Sequence, residues 1–121
     1  MILVDTSIWI DHFRAGEPRL AELLEAGHSL THPFVIAELA LGNIRNRDML
    51  LGALADLPST TMANDAEVLG LIEDANLHGR SIGLVDAHLI ASVRLTPDTR
   101  LWTRDRRLGG VAAELGLDIS P

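Results

Sequence analysis

Four carboxylates stand where apolar neighbours make a charge costly. Asp5 ends the run Met1-Ile2-Leu3-Val4, and Glu38 lies between Phe34-Val35-Ile36-Ala37 and Leu39-Ala40-Leu41. Asp86 lies between Leu84-Val85 and a stretch from Ala87 to Ala91 that is interrupted only by His88. Asp105 follows Leu101-Trp102-Thr103-Arg104. A carboxylate in apolar surroundings must be paired, hydrogen-bonded or bound to a cation, because burying it alone is strongly unfavourable. Four of them suggest one shared cation site. Like charges oppose one another's ionisation, so such a cluster calls for a cation. Oxygen donors without any cysteine suit Mg2+ or Mn2+ rather than zinc. One or two such ions activate water and stabilise charge on a phosphodiester, a chemistry that needs several carboxylates and no protein nucleophile. Thr6, Ser7 and Thr103 would orient waters or ligands around them.

Each acid also has a plainer reading. Asp5, Asp86 and Asp105 each suit a helix cap, and Glu38 suits a helix acid reaching out to water. Their joint arrangement favours the shared site more than any one of them does. His88 reads as a packed or surface residue, and His12, His28, His32 and His78 show no ligand spacing. Arg104, Arg106 and Arg107 surround Asp105 and suit phosphate; a solvated helix start is the alternative. Trp9 and Trp102 read as core residues rather than as platforms for a base.

The elements that must position these residues follow from periodicity and punctuation. Residues 1–5 read as a short strand. Thr6 or Ser7 caps a helix through about Arg14, and Pro18 opens a second that ends at Gly27. Residues 28–31 read as a strand, and His32-Pro33 begins a helix to Gly42 or Asn43. Residues 46–57 form a helix with Leu50, Leu51, Leu54 and Leu57 on one face. Pro58 stops it, and residues 59–62 read as a short strand. Asn64 and Glu67 form a capping box for a helix ending near His78-Gly79. After a loop at 79–83 come an apolar helix at 84–95, a strand at 100–103, a helix at 105–116 and a final strand at 117–119. Strands separated by helices imply an α/β fold with a mostly parallel sheet. Ligands of such sheets bind beyond the carboxyl ends of the strands. Asp5 and Asp105 fall at two such ends, and Glu38 and Asp86 lie on the two most apolar helices, both expected to pack on the sheet.

A chain of 121 residues is read as one domain. With no cysteine, disulfides, thiolate zinc sites and cysteine nucleophiles are excluded. The start MILVD has no basic leader, and no stretch reaches the ~20 apolar residues of a spanning helix. The expectation is a cytoplasmic protein without a membrane segment. Hydrophobic residues make up 47% of the chain but aromatics only 3%, so the surplus is aliphatic and belongs to a dense core or a subunit interface. The net charge of −7 argues against a nucleic-acid binder unless the acids cluster at a metal. All ten positive side chains are arginine. The absence of lysine excludes a Walker motif and counts against a phospho-receiver domain. An aspartate-nucleophile phosphatase would need an aspartate where Ser7 stands.

The segments VDTSIWIDHFR, FVIAELALGN, GLVDAHLIAS and LWTRDRRL occur in this order over nearly the whole chain. Together they resemble the PIN-domain ribonuclease toxins of the VapC type, from toxin–antitoxin modules. The resemblance implies a PIN-like domain over residues 1–121, a short central parallel sheet flanked by helices, and a Mg2+- or Mn2+-dependent endoribonuclease. It implies Asp5, Asp86 and Asp105 as metal ligands, with Glu38 ligating or placing the attacking water. Thr6 or Ser7 and Thr103 become supporting groups. It also implies an RNA substrate such as tRNA or rRNA, a homodimer, and a cognate antitoxin that covers the acidic groove. A catalytically inactive PIN-like interaction module is the alternative.

Overall fold

Ile2, Leu3 and Val4 carry no polar alternation, the pattern of a strand buried on both faces. In a computed structural model, which describes residues 1–119, they form the central strand β1 (Ile2–Val4) of a three-stranded parallel sheet. Strand β2 (Ser29–Leu30) pairs with one edge of β1 and strand β3 (Arg100–Trp102) with the other, giving the order β2-β1-β3. The chain builds β2 first and crosses to the far side of β1 for β3. The crevice between the ends of β1 and β3 is therefore a switch point, the place where parallel sheets take ligands.

Helices α1 (Thr6–Ala15) and α2 (Pro18–Glu25) connect β1 to β2, and α3 (Pro33–Leu41), α4 (Arg47–Ala55), α5 (Asp65–Asp74) and α6 (Leu84–Leu95) lead to β3. Helix α7 (Arg106–Glu114) follows β3. One hydrophobic cluster joins Leu3 and Val4 of β1 to Ile8, Leu20, Val35, Leu71, Ile90, Leu101 of β3 and Leu108, so two of the three strands and the helices share a core. Helix α6 is its axis, with Ala87 to Val93 buried without interruption.

Several boundaries differ from the sequence reading. The first cap falls on Asp5, and Thr6 is already helical. Asp5 makes no side-chain capping bond, which leaves its carboxylate for other partners. Helix α5 stops at Asp74, four residues before His78, because Asn76 turns left-handed at φ 52° and Leu77 N–H closes on Ile72 O. The strand expected at 59–62 is reduced to a single bridge between Ser59 and Thr31. Beyond it the backbone is drawn onto α6, where Thr61 N–H donates to Thr96 Oγ1 and Ala63 N–H to Ser92 Oγ. The strand expected at 117–119 is likewise one bridge, Asp118 to Leu101.

Helix α3 departs furthest from its expected packing. It is strongly apolar, yet only Val35 and Leu39 are buried, and Leu41 is 89% exposed. Of the leucines expected on one face of α4, only Leu54 is fully covered. The capping box stands as read: Glu67 N–H donates to Asn64 Oδ1 and Asn64 N–H to Glu67 Oε1.

The central place of β1 and the full burial of Leu3 make that side chain expensive to truncate. Leu3→Ala should lower unfolding free energy by about 2–5 kcal/mol, whereas Leu41→Ala should change it by no more than ~0.5 kcal/mol. Urea titrations of the two variants beside the wild type check this contrast.

Candidate active site

Asp5 leaves the buried end of β1, so its backbone is fixed by the sheet: its N–H donates to Trp102 O at 3.0 Å. The residue is 6% exposed. Oδ2 accepts a 2.6 Å bond from Thr103 Oγ1 and a 3.1 Å bond from Ser7 Oγ. These hydroxyls are themselves held, Thr103 by Asp105 N–H and Ser7 by Arg104 N–H. The segment after β3 is thus laced to the start of α1 through two hydroxyls and one carboxylate. Both donors are neutral hydroxyls, so neither supplies Asp5 with a counter-ion.

Asp86 stands in the first turn of α6, half-buried, with Gly83 rather than itself at the cap position. Its carboxyl is pushed up to about 6, first by burial and then by the charges of Asp5, Asp105 and Glu38. A backbone hydrogen bond from Gly83 opposes the shift. The four acids separated by up to 100 positions in sequence are therefore close enough in space for three of them to be felt at the fourth. No salt bridge among the described residues involves any of the four.

Glu38 and Asp105 are exposed, contrary to the burial expected from their apolar neighbours. Glu38 lies on the open side of α3 and accepts from Thr6 Oγ1 at 2.8 Å. Asp105 caps α7, taking Leu108 N–H at 3.0 Å on Oδ1, so the plainer reading of this residue holds alongside any other. These separate engagements leave the cluster open. Among the described residues no three His, Cys, Asp or Glu side chains converge closely enough to grip an ion as they stand. The donor chemistry nevertheless fits a hard divalent cation: oxygen ligands only, like charges in mutual repulsion, and no cation already neutralising them.

The arginines expected to face phosphate divide. Arg104 is committed to Asp11 at 2.9 Å and to Glu17. Arg106 and Arg107 are exposed in the first turn of α7 and have no ion pair among the described residues. Arg19 lies over the Trp102 ring, 5.4 Å from its centroid, on a tryptophan that is only half-buried. Trp9 is buried, as read from the sequence. His88 is buried too, packed T-shaped with Phe34. The sequence shows His32 only as a helix start without ligand spacing and does not single out Ser92, yet both are fully buried and bonded to each other at 3.0 Å. A serine inside the apolar run of α6 was the one visible sign, and nothing in the sequence named its partner.

Comparison with known proteins agrees with this architecture. The family model of the PIN domain matches residues 2–114. Ribonuclease VapC32 of Mycobacterium tuberculosis, from strains CDC 1551 / Oshkosh and ATCC 25618 / H37Rv, is 49% identical over 120 residues, covering 99% of this chain and 97% of that protein.

The charge environment of Asp86 has a measurable consequence in metal-free protein. Its folded-state carboxyl titrates above the ordinary value of 3.8, so ionisation opposes folding above about pH 6 and ceases to matter below 3.8. With chelator present, Asp86→Asn should be more stable than wild type at pH 7 by about 1–2 kcal/mol, a figure already reduced for solvent screening. Urea unfolding from pH 7 to 4 should show that advantage shrinking. An advantage independent of pH would contradict the electrostatic cause.

Proposed function

The chain belongs to the PIN-domain family, and from that membership we propose that it is a Mg2+- or Mn2+-dependent endoribonuclease of the VapC type, the toxin of a toxin–antitoxin module. The observation that supports the metal site is the grouping of Asp5, Glu38 and Asp105 about Asp86 with no ion pair to any of the four among the described residues. Asp5, Asp86 and Asp105 would hold the ion, and Glu38 would ligate it or place water beside it. Bound there, the ion supplies Lewis acidity toward water and toward the developing charge on a phosphodiester.

The remaining work falls to the chain. Ser7 and Thr103 hold Asp5 in one rotamer, and Thr6 restrains Glu38. Positive charge for neighbouring phosphates comes from Arg106 and Arg107, since Arg104 is occupied by Asp11 and Glu17. With a net charge of −7, RNA binding should depend strongly on both salt and metal. Structured RNA such as tRNA or rRNA is the expected substrate class, and the cytoplasm the expected compartment.

Incompletely covered apolar surface supports the two protein interfaces of this reading, a homodimer and an antitoxin. Leu41, Met49, Leu69 and Leu84 are each more than half exposed. Trp9, Phe13, Leu24, Leu50, Leu54 and Leu57 line a cavity of about 260 Å³ between α1, α2 and α4.

The test uses purified protein freed of any antitoxin, with total cellular RNA that includes tRNA and rRNA. The wild type should cleave with Mg2+ or Mn2+ and stop with chelator. Asp5→Asn and Asp86→Asn should each lose at least roughly 100-fold in rate, the scale of removing a group that stabilises transition-state charge. A folded wild type that leaves all RNA intact with either ion would point instead to an inactive interaction module.

A further inference from the structure

Helices α3 and α6 carry two of the four acids, and their side chains meet in an ordered ladder. His32, the cap of α3, is bonded to Ser92 of α6 at 3.0 Å. The Phe34 ring meets the His88 ring edge-on, with centroids 4.7 Å apart. The charge of Glu38 reaches Asp86. Residue numbers rise along α3 as they fall along α6, so the helices run in opposite directions, with the polar bond at one end and the acids at the other. Six residues of helix, about 9 Å, separate each acid from the bond.

The wiring of that bond is determined by its surroundings. Phe34 N–H donates to His32 Nδ1 at 3.0 Å, so the ring proton lies on Nε2 and donates to Ser92 Oγ. Burial and the neighbouring His88 hold His32 down to about 4, which keeps this neutral tautomer across the neutral range. Ser92 Oγ also accepts Ala63 N–H at 3.1 Å. One hydroxyl thereby takes a donor from the start of α3 and another from the segment before α5. An apolar pair would fill the same space without specifying a distance, whereas a satisfied buried hydrogen-bond node admits one arrangement.

We propose that His32 and Ser92 form a positioning pin that sets the spacing between Glu38 on α3 and Asp86 on α6, and so the geometry of the acidic centre. This rests on the nuclease reading above. Neither residue touches substrate or ion; both act through the helices that carry the acids. Displacements near 1 Å at a reacting centre cost on the order of 100-fold in rate, so a pin at this distance has leverage.

His32→Asn retains a capping acceptor for Phe34 N–H but is too short to bridge to Ser92. Ser92→Ala retains the helix and removes the bridging oxygen. Leu20→Val, a core truncation on α2 that leaves the His32–Ser92 bond in place, serves as a control for destabilisation. Calorimetric titration with Mn2+ in the absence of RNA, and cleavage kinetics with it, should separate the three. For the pin variants, Mn2+ affinity and kcat should each fall roughly 10- to 100-fold while KM stays unchanged. The double variant should be no worse than Ser92→Ala alone, because that change already removes the bond that His32→Asn breaks. Leu20→Val should match the wild type in both readouts. Ser92→Ala carries the test by itself where His32→Asn yields no folded protein. If the pin variants match Leu20→Val in Mn2+ affinity and kcat, the positioning role is overturned while the nuclease reading stands. A wild type that neither binds Mn2+ nor cleaves RNA overturns both.

Discussion

Repulsion among like charges at the carboxyl edge of the sheet is the constraint around which this small protein is arranged. Asp5 is buried at the end of the central strand, and Asp86 is half-buried beside it. Neutral hydroxyls from Ser7 and Thr103 satisfy the hydrogen bonding of Asp5 without cancelling its charge. Arg104, next to Asp105 in sequence, is drawn off by Asp11 and Glu17. Such an arrangement opposes folding locally and persists because the rest of the core over-determines it. Leu3, Val4, Ile8, Leu89 and Ile90 are fully buried and belong to that one core.

Helix α6 shows how the core meets that demand. Buried from Ala87 to Val93, it has little freedom to move its acid away from Asp5. The polar groups within it are put to use rather than merely tolerated. Ser92 takes donors from His32 and Ala63, and its carbonyl accepts from Thr96 Oγ1. The same bonds divert residues 61–63 away from the sheet and onto the helix, which is why no strand forms there. One set of hydrogen bonds accounts for a missing strand and for the fixed approach of α3.

Helix α3 balances the opposite requirements. Its cap is buried at His32, while Glu38 and Leu41 stand in the open. An apolar helix left half uncovered next to a group of acids is poorly suited to an isolated chain in water. It suits a chain that meets other proteins on this side, which agrees with the interfaces of the proposed toxin.

The sequence by itself determined the α/β class, the parallel order of alternating elements and the identity of the four acids. Punctuation by proline and glycine, the capping box at Asn64 and the apolar runs are local signals, and local signals are legible in order along the chain. Burial was not legible. Apolar neighbours made Glu38 and Asp105 look enclosed, yet one faces outward on a half-covered helix and the other caps α7 in the open. Which face of a helix is covered depends on what lies across from it, and that partner is distant in sequence. For the same reason only the tertiary structure could join Thr103 to Asp5, 98 positions apart, or His32 to Ser92, 60 apart. The covered positions of Asp5 and Asp86 were foreseeable from their apolar neighbours; that the charges of Asp5, Glu38 and Asp105 meet at Asp86 was decided by the strand crossing that brings the ends of β1 and β3 together.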